Sequence, residues 1–75
     1  MSGLSGLKPA RVVKAFCRLG WHVARQKGSH CILAKPGNPC ILVIPVHAHE
    51  VKPGLLRGEL TKAGISSEAF LAAYK

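Results

Sequence analysis

Histidine 30 stands where chemistry is most readily built. It closes the stretch RQKGSH, after Arg25, Lys27, Gly28 and Ser29, and precedes the apolar run CIL. An imidazole titrates near neutral pH and can give or take a proton there. Arginine and lysine hold phosphate, glycine lets backbone approach it closely, and a serine hydroxyl donates a hydrogen bond. Such a set suits cleavage of an RNA phosphodiester. His30 is the general acid/base, Arg25 and Lys27 clamp the phosphate, and no metal is required. A surface strand histidine with no catalytic duty fits the same residues, and local sequence does not separate the two.

Other candidates are weaker. His47-Ala48-His49 is a His-x-His pair, but in an extended segment the two rings point oppositely and no third ligand stands near in sequence. We assign no metal and no cofactor. Lys52, Arg57 and Lys62 lie on or beside a second long helix, with Lys52 and Arg57 near its N-terminal end, where free N–H groups favour phosphate. A solvated helix face accounts for them equally well. With the hairpin cations they would make one basic track. Aromatic platforms for base stacking are few, which points to contact led by the RNA backbone.

The composition agrees with a polyanionic partner. Eleven Lys/Arg against three Glu and no Asp give a formal charge of +8 on 75 residues. Such a field favours nucleic acid first, a membrane surface second and an acidic protein third. The longest apolar run, Cys40 to Val46, is far short of the roughly 20 residues that span a bilayer. The opening Met1-Ser2-Gly3-Leu4 lacks the pattern of a signal peptide. Cys17, Cys31 and Cys40 follow no disulfide or zinc spacing and read as reduced core residues of a cytoplasmic protein.

These side chains need elements to hold them. Residues 1–6 read as a flexible lead-in to a single domain over 1–75. Pro9 opens a helix with Val12, Val13, Phe16, Cys17 and Leu19 at helical spacing, and Gly20 ends it. Trp21 to Gln26 reads as a strand, Lys27-Gly28 as its turn, and Ser29 to Ala34 as a second strand. That register sets Arg25 opposite His30 and Val23 opposite Ile32, all on one sheet face. The loop KPGNP (residues 35–39) leads to a third strand, Cys40 to Ile44, closed by Pro45. Both faces of this strand are apolar, and the one not covered by helices suits a protein partner or a homodimer. Pro53 opens another helix with Leu55, Leu56, Leu60 and Ala63 as its stripe, stopped by Gly64. Ser66 then caps a short last helix docked by Ala69, Phe70 and Ala73. The fold class is α+β: two layers in the order α-β-β-β-α, with a three-stranded antiparallel sheet and a short C-terminal helix.

Four segments, in order, resemble the HicA-type mRNA interferase toxins of toxin–antitoxin modules, over about residues 8–67. A first helix ends in LGWHV, where that family has a Gly-aromatic step. RQKGSH matches its Lys-Gly-Ser-His hallmark, and IPVH (residues 44–47) its Pro-x-His segment. VKPGLLRGELTKAGIS (residues 51–66) matches its Gly-Thr-Leu-Arg…Ala-Gly-Ile helix. The resemblance implies a double-stranded-RNA-binding-like fold and a ribosome-independent endoribonuclease acting on mRNA. It also implies a HicB-type antitoxin that covers the active site. The family's active histidine carries over to His30, and His47 is the family-matched candidate for a second proton-transfer group. The chain departs from the pattern at Leu55, which replaces a threonine, at His49, where lysine is frequent, and at Cys31. Leu55 keeps open a second reading, a module of the same fold that binds RNA without cutting it. A pure interaction subunit for an acidic partner is a third.

Overall fold

A computed structural model of the chain describes residues 3–75; Met1 and Ser2 lie outside the described residues. Pro9 opens α1 (Pro9–Arg18), where a missing N–H costs nothing. Val12, Ala15 and Phe16 form its buried stripe. Gly20, just past the helix, sits at φ 99°, a conformation open to glycine. Three strands follow: β1 (His22–Lys27), β2 (His30–Lys35) and β3 (Asn38–Pro45). Then come α2 (Pro53–Ala63) and α3 (Ser67–Tyr74). The strands make one antiparallel sheet in the order β1-β2-β3, giving the expected α+β layout.

Alternation along the strands assigns the two sheet faces. Cys31, Leu33, Leu42 and Ile44 turn toward the helices and are buried with Phe16, Leu56, Leu60 and Phe70. Ile32 and Val43 are paired on the outer face and only half-buried. Ile41, on the same face, is 51% exposed. The last helix is held by Ser66, whose Oγ accepts from the Ala69 amide at 3.1 Å, with Glu68 in the first turn.

The first hairpin differs from the expected register. Its turn is Gly28-Ser29, so Lys27 stands opposite His30, and Arg25 stands opposite Ile32. The reason is conformational. A Lys27-Gly28 turn of the favoured type needs positive φ at both residues, and lysine resists it. Gly28 at the first turn position, with φ 59°, supplies the single positive φ of the alternative turn. A bulge between Val23 and Arg25 then sets Val23 against Leu33 rather than Ile32. The second hairpin is also tighter than expected. Lys35 pairs with Asn38 across Pro36-Gly37, and β3 begins at Asn38, whose Oδ1 accepts from the Cys40 amide at 2.9 Å.

Several side chains also sit differently. Leu4, expected in a loose lead-in, is fully buried. The Leu7 carbonyl accepts from the Val51 amide at 2.9 Å. Apolar burial thus holds the start of the described chain in place. Cys17 is exposed and Cys40 half-buried, so only Cys31 is a core thiol; all three are free. Leu55, 40% exposed, leaves the stripe of α2 to Leu56 and Leu60, and Ala69 faces solvent.

Side-chain anchors close two borders. Glu59 of α2 accepts from the Val43 amide at 3.0 Å, while Lys62 donates to the Ile41 carbonyl at 3.2 Å. The two side chains pair with each other at 3.1 Å. They thereby occupy backbone groups on the open edge of β3. On the other side of the layer, Arg18 donates to the Ala73 carbonyl at 2.7 Å and Arg11 to the Tyr74 carbonyl at 3.2 Å. The Arg11 guanidinium also lies 4.5 Å from the centre of the Tyr74 ring.

Candidate nucleic-acid interface

The outer face at the turn end of the sheet gathers three of the predicted residues. Lys27 is the direct cross-strand partner of His30. Arg25, two residues back on β1, is its diagonal neighbour on the same face. Opposite residues in an antiparallel pair carry Cβ atoms about 5 Å apart and diagonal ones about 7 Å, within reach of long cationic side chains. All three residues are exposed. The shared face foreseen for Arg25 and His30 therefore holds, although the direct partner is Lys27. The register moved by an even number of residues, and an even shift preserves the face.

Gly28 and Ser29 form the turn itself. A Cβ at Gly28 would meet nothing within 4 Å, so the turn backbone is open to a close approach. The Ser29 carbonyl accepts from the Val46 amide at 2.7 Å. On β2's other side, Pro45 is paired with His30. The sheet thus brings the segments RQKGSH and IPVH side by side, and His47 begins an exposed loop directly beyond that junction. This loop is tied at both ends, by the Val46 amide on Ser29 and the Val51 amide on Leu7.

Lys52 and Arg57 belong elsewhere. Lys52 is the N-cap of α2 and Arg57 an exposed residue of that helix, which packs against β3. No hydrogen bond, ion pair or sheet register joins them to the hairpin cations among the described residues. Lys62, which the sequence placed on the same basic track, is committed to Glu59 and to the edge of β3. The Glu59–Lys62 brace was not foreseen, although its i,i+3 spacing was readable. Among the described residues, no three His, Cys, Asp or Glu side chains converge as a metal-ligand set. Behind the site, burial first and then the nearby Cys17 raise the Cys31 thiol above its ordinary value of 9.0, which keeps this neighbour of His30 neutral.

Fold and site together define a small basic α+β module that exposes His30 at the turn end of a cationic hairpin with no acid in it. The family model described as the HicA toxin of bacterial toxin–antitoxin systems matches residues 10–65. That is well over half of the chain, and the chain belongs to the HicA toxin family. Membership places it in a toxin–antitoxin module and implies a cognate antitoxin. No curated protein matches the chain. No helix among the described residues is long and apolar enough to cross a membrane.

Proposed function

We propose that this toxin is an endoribonuclease that cleaves mRNA in the cytoplasm without a metal, with His30 as general acid/base. The observation that carries the reading is the hairpin register, which sets Lys27 opposite His30 and Arg25 diagonal to it on an open face. A phosphate over this corner meets two cations and an imidazole. His30 takes the proton of a ribose 2′-hydroxyl, and the 2′-oxygen attacks phosphorus. The bond to the 5′-oxygen breaks, and that oxygen leaves with a proton from a second donor, for which His47 is the candidate. The products are a 2′,3′-cyclic phosphate and a 5′-hydroxyl. Arg25 and Lys27 offset the charge gathering on the phosphoryl oxygens. Gly28 admits the backbone and Ser29 donates a hydrogen bond, while Lys52 and Arg57 hold RNA further along. A HicB-type antitoxin covering this face would neutralise the toxin.

The test is His30→Ala in purified protein and in growing cells. Cleavage and growth arrest are expected to vanish while the circular dichroism spectrum stays unchanged. Cleavage at the wild-type rate by that variant would sink the assignment. If the wild-type protein binds RNA and leaves it intact, the non-cleaving module takes its place, with Leu55 as its sequence mark.

A second reading concerns the apolar part of the same outer face, away from the turn end. Ile41 at 51% exposure, beside Ile32 and Val43, favours a homodimer through this face. Sedimentation should then show a dimer that Ile41→Glu dissociates.

A further inference from the structure

The sheet has two edges, and the fold treats them differently. Along β3, the Glu59 carboxylate takes the Val43 amide and Lys62 caps the Ile41 carbonyl. Pro45, also at this edge, has no N–H to offer. Along β1, all six residues are exposed, and among the described residues no side chain is seen to bond the strand's backbone as Glu59 and Lys62 do at β3. The register shows which backbone groups are free. Lys27 and His30 close a two-residue turn, so they form a hydrogen-bonded pair, and so do Arg25 and Ile32 two residues on. Gln26 lies between them, and its N–H and C=O point away from β2. The same alternation sends the Val43 amide outward on β3, where Glu59 meets it.

We propose that β1 is a docking edge for an extended acidic segment of a partner protein, which adds to the sheet as a fourth strand. Outward N–H and C=O groups at strand spacing fit another peptide backbone. The charges select which one. A second copy of β1, laid antiparallel about Gln26, would set Arg25 against Lys27, a like-charge pair that opposes self-association. An acidic strand meets the same two cations favourably, and the chain's net +8 steers it in. The bulge between Val23 and Arg25 confines close pairing to the turn end, so the added strand is short and lies beside Lys27 and His30. The proposal does not depend on His30 cutting RNA.

Substituting Gln26→Pro tests it. Proline removes the outward N–H without costing an internal ladder bond, as Pro45 already does at the other edge. The probe is a synthetic ten-residue peptide of alternating Glu and Val, compared with the same peptide N-methylated at alternate residues. Amide chemical shifts and hydrogen exchange are followed at low ionic strength. The unmodified peptide should slow exchange of the Gln26 amide, the N-methylated one should not, and Gln26→Pro should weaken binding roughly tenfold. Equal binding by both peptides, unchanged binding by Gln26→Pro, or no binding at all would overturn the proposal. So would protection of Gln26 by an oligouridylate instead of the peptide, since the edge would then belong to an RNA surface. No outcome depends on cleavage, so loss of activity in His30→Ala leaves the proposal standing or falling by itself.

Discussion

The salt dependence of RNA binding separates cations that hold the fold from cations that hold RNA. Eleven Lys/Arg would suggest a very steep dependence. The structure shortens the list. Arg11 and Arg18 are spent on carbonyls of α3, and Lys62 on Glu59 and the edge of β3. The proposed surface has four cations: Arg25, Lys27, Lys52 and Arg57. Each phosphate neutralised on a single strand adds about −0.7 to the slope of log K against log salt, so four contacts give about −2.8. Affinity should then fall about fifty-fold between 50 and 200 mM salt. The measurement is fluorescence anisotropy of a labelled oligoribonucleotide, made in the His30→Ala background so that the probe survives. Adding Lys27→Ala should flatten the slope to about −2.1 and reduce the fall to about twenty-fold. Arg11→Ala or Arg18→Ala should leave the slope unchanged while lowering the melting temperature. The reasoning fails if either of these flattens the slope as much as Lys27→Ala does, or if Lys27→Ala leaves it untouched.

Three further outcomes follow from local geometry. Gly28→Ala should cost about 1–2 kcal/mol in urea denaturation, because its φ of 59° penalises a Cβ that meets no neighbour. Gly54→Ala, in the first turn of α2 and equally free of neighbours, should stabilise by about 0.5–1 kcal/mol; equal signs for the two would contradict the turn assignment. Leu4→Ala should cost about 2–5 kcal/mol, since Leu4 is fully buried, and a loss below about 0.5 would mean that the segment does not pack as described. The raised Cys31 thiol makes stability pH-dependent. The unfolded thiol ionises near 9.0 and the folded one higher, so its contribution is complete below that pH and is lost as the pH rises above it. Cys31→Ala should flatten the alkaline limb of a stability profile, and an unaltered limb would refute the linkage.

How much of this was legible depended on the range of the determining interaction. The helices and strands were readable because Pro9, Gly20, Pro53, Gly64 and Ser66 mark their ends by backbone chemistry local to each residue. The turn lies one residue later than local sequence suggests because two turn types compete for one glycine, and the choice rests on which neighbour must accept a positive φ. The bulge at Val23, the burial of Leu4 and the exposure of Cys17 depend on contacts far apart in sequence. The Leu7–Val51 bridge, for instance, spans the whole sheet in between. Cys17 has an apolar neighbourhood in sequence, but it lies on the border of the α1 stripe, where packing alone decides exposure.

The candidate site keeps a common face under either position of the turn. Moving the turn from Lys27-Gly28 to Gly28-Ser29 displaced the pairing by two residues, and side chains alternate with period two. His30, Arg25 and Lys27 therefore keep a common face in either register, and only the identity of the direct partner changes. An odd slip would have turned His30 onto the face of Cys31 and Leu33, beneath the helices, where an imidazole loses water and phosphate alike. The apolar residues after His30 exclude that outcome. Cys31 and Leu33 are buried at the positions that alternate with His30 and Ile32, so the core itself holds the histidine outward. The run CIL thus sets the face of the site, Gly28 sets its partner, and the two constraints act through independent parts of the hairpin. Substitutions at Gly28 should then alter activity by misaligning Lys27 against a correctly facing His30, whereas a charge at Leu33 would remove the face altogether.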